Sequence, residues 1–431
     1  MLTEASLLIS ENNLNTLRMK KTLFPILVCL TILSCGNAPK GDFIVTVKNT
    51  QDVPRADEPV EVPMADITAR VPLAGESRYV VTDREGNEVP CQITHDDNLL
   101  FLANVKAKSS AMYTVSAGSP DEEPTSFVYG RHYPERVDDI AWENDVTAYR
   151  CYGPALQASG ERAFGYDVWV KNTPSLVVEE RYASELNPET AATIAELRRQ
   201  HKTAEADELY HSVSYHVDHG NGLDCYKVGP TLGGGADALL DAEGNIVYPY
   251  CWAKYEVVEN GPLRFMVKLT YNPFVYREDT LVETRVISLV KGSQLNKTEV
   301  SFAGLTNAAP IVAGIVVHPE NPDGYSLKGD EGYVSYQDLT DNVRNDNGQI
   351  YVGIVAPGMS EARYQPFGPA EAAQRGASGH VLAVGTLKPG AVFTYYWGSA
   401  WSKAGWKDQK EWDSYLSDYA KGLKSPLEVH Y

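Results

Sequence analysis

Short runs of β-branched and aromatic residues, each stopped by Gly, Pro, Asp or Asn, recur along the chain from residue 43 onward and constrain its fold most. Runs at 43–47, 79–81, 99–102 and 113–115 come first, and Glu85-Gly86-Asn87 sits between apolar segments as a hairpin turn would. They predict a small β-sandwich over 41–128, closed by a polar, proline-bearing linker at 118–124. Further runs follow at 146–152, 166–171, 213–217, 255–258, 265–271, 281–290, 298–302, 311–318, 350–355, 381–387 and 393–397. So many strands with so few helices predict an all-β chain whose residues 130–431 form a large antiparallel sandwich, not alternating βαβ units. Gly233-Gly234-Gly235 lacks the Lys-Ser/Thr ending of a phosphate loop and reads as a tight turn or bulge.

Two helices are expected. Asn187-Pro188-Glu189 offers a cap, a first-turn proline and an acidic first turn for a helix running through Arg199. A second runs from about Asp408 to Ala420, where Trp412, Tyr415, Leu416, Tyr419 and Leu423 make one packing stripe.

The first 35 residues read as an export signal. Arg18, Lys20 and Lys21 precede an apolar run from Leu23 to Leu33, then Ser34-Cys35-Gly36. A Cys at that place is similar to the acylated Cys of bacterial lipoproteins, so Cys35 is the expected lipid anchor and Met19 an alternative start. No acidic cluster follows Cys35, which points to a periplasmic, membrane-anchored lipoprotein, with the cell surface as the other location. The chain carries a net charge of −19, and without residues 1–35, which hold three basic and two acidic side chains, −20. That field disfavours nucleic acid as a partner and requires a local basic pocket if the substrate is anionic. Cys91, Cys151, Cys225 and Cys251 allow three disulfide pairings or none, and without a CxxC they exclude zinc ribbons and thioredoxin-like sites.

Three of the chain's nine histidines, His211, His216 and His219, fall within nine residues in the segment from Tyr210 to Pro230. If 213–217 is a strand, His216 and Asp218 share a face, and the glycine loop after them brings His219, Asp224 and Lys227 near. A histidine beside a carboxylate has a fixed tautomer and suits a general base. The same pair can hold a divalent cation, or bridge a polar hairpin. No metal motif such as HExxH is present, and no GxSxG elbow or nucleotide fingerprint.

A second cluster places Trp142, Glu143, Asn144 and Asp145 before a strand bearing Arg150, which offers a stacking ring, hydrogen-bonding groups and a bidentate carboxylate clamp. Loop packing and structural ion pairs explain it equally well. Asp167, Trp169 and Lys171 alternate on one strand face, as a cleft wall or a solvated sheet would. Tyr226 and Trp401 complete the candidate substrate-binding set.

The runs 142–145 and 152–156, the segment 216–230 and the end 393–403 together resemble a family of bacterial lipoproteins classed as a domain of unknown function. These motifs spread from about residue 130 to 405 and leave 187–207 as an insertion. The resemblance implies a super-sandwich like that of galactose mutarotase and several polysaccharide lyases, a place in glycan utilisation, and likeness to a dehydratase of ulvan oligosaccharides. Residue roles rest on chemistry alone. The expected reaction eliminates water or an alkoxide from an acidic, uronate-containing oligosaccharide. His216, oriented by Asp218, is the base. Tyr215 or His219 is the acid, and Arg150, Lys171 or Lys227 neutralises the carboxylate. No organic cofactor is required. A glycoside hydrolase using two of Glu143, Asp145, Asp167 and Asp218, or a non-catalytic glycan-binding lipoprotein, are the rival readings.

Overall fold

Alternation in the strands builds the fold. In Asp279–Val290 the residues Leu281, Glu283, Arg285, Ile287 and Leu289 are buried and their neighbours half-buried, so this strand lies with one face on a core. The computed structural model describes residues 41–121, 125–341 and 343–431. The export signal and Cys35 lie outside the described residues, as does part of the expected linker. Pro39–Tyr431 forms one compact unit.

The main body is two facing β-layers. One is an eight-strand path ordered Trp252–Asn260, Arg264–Tyr271, Asp279–Val290, Leu295–Ala303, Phe393–Trp401, Ile350–Val355, Tyr333–Asp338 and Tyr325–Lys328. Facing it are two five-stranded sheets. The first is ordered Gly222–Asp224, Tyr166–Lys171, Thr147–Cys151, Asp139–Asn144 and Val128–Tyr133. The second is ordered Ile246–Val247, Gly234–Leu240, Ala309–Val317, Gly379–Leu387 and Glu361–Pro366. Strand pairing within these sheets is antiparallel, and a parallel bridge from Tyr166 to Gly233 joins the two smaller sheets into one layer. The fold is therefore the expected all-β super-sandwich. Its core holds Trp142 stacked on Phe265 at 6.0 Å and Tyr166 stacked on Trp397 at 4.2 Å. The three-glycine run makes the bulge: register shifts between Gly234 and Asp237, and at Gly235 (φ +142°) a Cβ would lie 2.7 Å from that of Trp397.

The N-terminal strands form two further sheets around their own core, which includes Phe43, Val45, Leu99, Phe101 and Val115. The last strand, Glu428–His430, pairs with the first, Asp42–Lys48. The hairpin turn at Gly86 forms, with Asp83 accepting from the amides of Glu85 and Asn87.

Both expected helices are present. Asn187 accepts from the amides of Glu189 and Thr190 at the head of Pro188–Arg199, and Asp408 accepts from Glu411 at the head of Gln409–Lys424. Trp412 and Leu416 are buried against Tyr351 and Val355, so the aromatic stripe is packing. The expected strand 213–217 is absent. Thr203–Val213 is helical, and a turn follows. All four described cysteines are free thiols, and burial pushes Cys91 and Cys251 up to about 11.

Candidate active site

The first five-stranded sheet turns Ile140, Trp142, Tyr166, Val168 and Val170 into the core. Its other face therefore presents Asp139, Glu143, Ala148, Arg150, Asp167, Trp169, Lys171 and Asp224, brought together by cross-strand pairs such as Arg150 with Asp167 and Trp169 with Asp224. The helix Val178–Glu185 and the turn after Val213 cover part of this face, with Val178, Tyr182 and Tyr215 packed on Trp169 and Ala148.

Arg150 is the hub. Its Nε donates to Asp167 Oδ2 at 2.8 Å and its Nη2 to Asp224 Oδ2 at 2.7 Å, while Nη1 lies 3.6 Å from Asp139 Oδ2. Tyr152 donates to Asp167 at 3.0 Å, and Tyr182 to Asp139 at 3.1 Å. Three buried carboxylates thus share one guanidinium. Burial pushes the Asp139 carboxyl up to about 6 against the opposing pull of Arg150. Burial and then the Asp167 charge push Asp224 up to about 7. Both shifts carry a stability signature. From about pH 4 to 7 the unfolded chain has released these two protons while the folded chain keeps them, so stability falls as pH rises through that window. Melting temperature measured across it should decline in the wild type, and decline less in Asp224→Asn.

His216 stands on the rim, its side chain 43% exposed and its ring 4.5 Å from that of Tyr215. Its Nδ1 lies 3.1 Å from the Asp224 carbonyl oxygen and 3.6 Å from Asp224 Oδ2. A carbonyl only accepts, so in the neutral ring Nδ1 is the donor, and Nε2 makes no hydrogen bond among the described residues. Arg136 is the second rim group. Its Nε donates to the Tyr215 hydroxyl at 3.0 Å, and its terminal nitrogens make no hydrogen bond among the described residues. Val137 (φ 45°) and Asp138 (φ 66°), next in the chain, are both left-handed. A β-branched residue there is strained by about 1–3 kcal/mol. The pair is held by the Leu156 amide on Val137 and by His132 and the Ala155 amide on Asp138.

Beyond Asp224 the same segment carries Tyr226, whose buried hydroxyl has no hydrogen-bond partner among the described residues. The Tyr226 phenol feels the charges of both Asp338 and Asp167, and its ring lies 6.1 Å from that of His318. His318 Nδ1 and Asp338 Oδ2 are 2.6 Å apart, a second oriented imidazole.

Several expected roles are corrected. Asp218 does not orient His216: its Oδ1 accepts from the amides of Gly220 and Gly222 in the turn, and Asp224 stands beside the imidazole instead. Trp142 is wholly buried and donates to Asn296, so it offers no stacking face. Trp169 is covered by the helical segment. Arg150 is buried among Asp139, Asp167 and Asp224, its Nη1 making no hydrogen bond among the described residues, and Lys171 is buried on Glu143 and the Asn144 carbonyl, so neither is offered to a substrate as a carboxylate clamp. His219 Nε2 lies on the Ser214 carbonyl oxygen, and the Tyr215 hydroxyl is held by Arg136. Lys227 is exposed, with its Nζ beside Gly376 rather than Arg150. Trp401 is buried and donates to the Asn347 carbonyl. Asp145 Oδ1 accepts from the Gly292 amide, and Asp145, Lys171 and Trp401 line a cleft apart from His216. Arg136, Tyr152, His318 and Asp338 are the residues that sequence reading passed over.

Glu143 anchors the covering helix. It pairs with buried Lys171 at 2.5 Å and accepts from the amides of Val177 and Val178 at the helix start. Glu143→Gln should cost about 1.5–3 kcal/mol in denaturant unfolding, the worth of hydrogen bonds to a charged group. Among the described residues, His95, Asp96 and Glu259 have ligand atoms close enough to hold a metal ion, away from this site, and Arg264 already sits 2.7 Å from Glu259.

The site thus lies on one face of a large all-β sandwich, with His216 beside Asp224 of a buried carboxylate–arginine cluster. The chain belongs to the family described as "Domain of unknown function (DUF4861)", which matches residues 47–429. "Uncharacterized protein P7" of Formosa agariphila is similar, 25% identical over 434 residues that cover 94% of this chain and 98% of the relative. Two solved structures from Enterococcus faecalis, an alpha-mannosidase and a protein in glycosyl hydrolase family 38, give TM-scores of 0.47 and 0.46 at 10% identity. Each match covers 91% of this chain and 46% or 47% of the other, so the chain spans about half the length of those structures.

Proposed function

We propose that the protein is a carbohydrate-active lyase, eliminating water or an alkoxide from a uronate-containing oligosaccharide. The observation that carries this reading is the pair of rim groups that meet at Tyr215: an exposed imidazole on its ring, and on its hydroxyl a guanidinium whose terminal nitrogens make no hydrogen bond among the described residues. Arg136 holds the uronate carboxylate and stabilises charge that develops on it. His216 Nε2 removes the proton on the carbon next to that carboxylate. The leaving oxygen takes a proton from His318, which Asp338 orients. The Arg150 cluster fixes Asp224, and through it His216. Base, clamp and acid thus come from this chain's own side chains.

A hydrolase is the second reading, favoured by two carboxyls of raised proton affinity, Asp139 and Asp224, at one site. The elimination proposal is tested by offering the protein an acidic oligosaccharide and its carboxyl-reduced counterpart. Turnover of the acidic form alone is expected, and equal turnover of both would defeat it. The reading also places the protein in the periplasm on a lipid anchor at Cys35. Cys35→Ser should then move it from the membrane to the soluble fraction, because acylation supplies about 0.8 kcal/mol per buried methylene.

A further inference from the structure

A cleft of about 510 Å³ opens at the end of the catalytic sheet, where the turn between Asp139–Asn144 and Thr147–Cys151 meets the loop after Lys171 and the segment 399–406. It is separate from the His216 rim. Thr147 on its wall lies three residues before Arg150 on one strand, about 10 Å away. The helix Val178–Glu185 packs on the sheet face at Ala148 and Trp169.

Its walls have the chemistry of a sugar site. Trp406 is half-buried and held edge-on by Trp412 at 5.3 Å and Tyr415 at 5.6 Å, so the indole is fixed before any ligand arrives. Gln294 Oε1 is buried on the wall and has no hydrogen-bond partner among the described residues. The exposed Asn172 amide also has none among the described residues, and Asp145 uses only Oδ1, on Gly292. Lys403 is exposed at the mouth, reaching the Asp346 carbonyl. Lys171, the other lysine of the cleft, is neutralised by Glu143, so Lys403 supplies the free positive charge. In a chain of net charge −19, a cation beside a fixed indole and unsatisfied amides is a specific feature.

We propose that this cleft is a second carbohydrate-binding site, taking one anionic sugar unit with Trp406 under the ring, Asn172 and Gln294 on its hydroxyls and Lys403 on its acid group. It rests on the reading of the protein as one that handles acidic oligosaccharides, but it requires no turnover. The acid group can be a carboxylate or a sulfate ester, which share this chemistry.

Calorimetric titration with digalacturonate, a sulfated disaccharide and a neutral disaccharide tests it on the full chain. The wild type and His216→Ala should bind an anionic disaccharide with the same affinity. Trp406→Ala should weaken that binding roughly tenfold. Because Trp406 also packs on Trp412, Lys403→Gln is the second variant: it should weaken the anionic ligand and leave the neutral one unchanged. Stronger binding of digalacturonate than of the sulfated sugar assigns the acid group as carboxylate, and the reverse assigns it as sulfate. Unchanged binding in both variants, or binding lost in His216→Ala, overturns the proposal. Binding that depends on Trp406 without any elimination would sink the lyase reading and leave this one standing.

Discussion

His216→Ala should lower turnover of an acidic oligosaccharide by about a hundredfold to ten-thousandfold, the usual worth of a positioned base. The melting temperature should change little, because the ring stands on the rim and its polar contacts are with Asp224 alone. His216→Asn should be equally inactive, since an amide cannot take the proton. A folded and fully active His216→Ala protein would end the mechanistic account. Loss of activity in step with loss of melting temperature would show that the imidazole braces the turn instead. Asp218→Asn separates the corrected geometry from the expected one. Asp218 contacts only turn amides, so this change should leave turnover near normal.

The second large effect concerns Arg150. Arg150→Met keeps much of the side chain's bulk but leaves Asp139, Asp167 and Asp224 buried without their shared cation. Breaking a buried ion pair from one side typically costs about 3–5 kcal/mol, because the stranded charge keeps its desolvation penalty. Urea unfolding should show a loss of that size. Adding Asp167→Asn to Arg150→Met should recover part of it, since one stranded charge is removed. Arg136→Gln should behave in the opposite way, with small change in stability and a large rise in KM for the acidic substrate. If Arg150→Met were as stable as the wild type, the cluster would not be the ionic hub described.

The strands were legible because their pattern is local. Alternation in 166–171 already separated Asp167, Trp169 and Lys171 from Tyr166, Val168 and Val170, and the structure keeps that division. The same reasoning applied to 281–290 would have placed Glu283 and Arg285 among core residues, where Arg285 meets Asp237 at 3.0 Å. Val213, Tyr215 and Val217 alternate too, but the acidic, alanine-containing run before them propagates a helix to Val213. Reading 213–217 as a strand puts His216 on it with Asp218 as its partner, whereas the turn after the helix sets His216 beside Asp224. Sequence pattern places Trp142 ahead of the strand bearing Arg150, whereas Asp139–Asn144 is itself a strand and turns Ile140 and Trp142 inward. His318 and Asp338 lie 20 residues apart and meet only because two layers bring their strand ends together, which no local pattern encodes. Arg136 carried no sequence signal apart from its place in a charged run. Its role depends on the left-handed pair Val137 and Asp138 that follows it.

The most direct test of elimination is product analysis. Purified protein is incubated with uronate oligosaccharides while ultraviolet absorbance is followed, and the products are weighed by mass spectrometry. Elimination predicts rising absorbance from a conjugated double bond, with products that have lost water or split into an unsaturated and a saturated part. His216→Ala should abolish the signal. Saturated fragments that have gained water, without absorbance, would contradict the account and establish hydrolysis in its place.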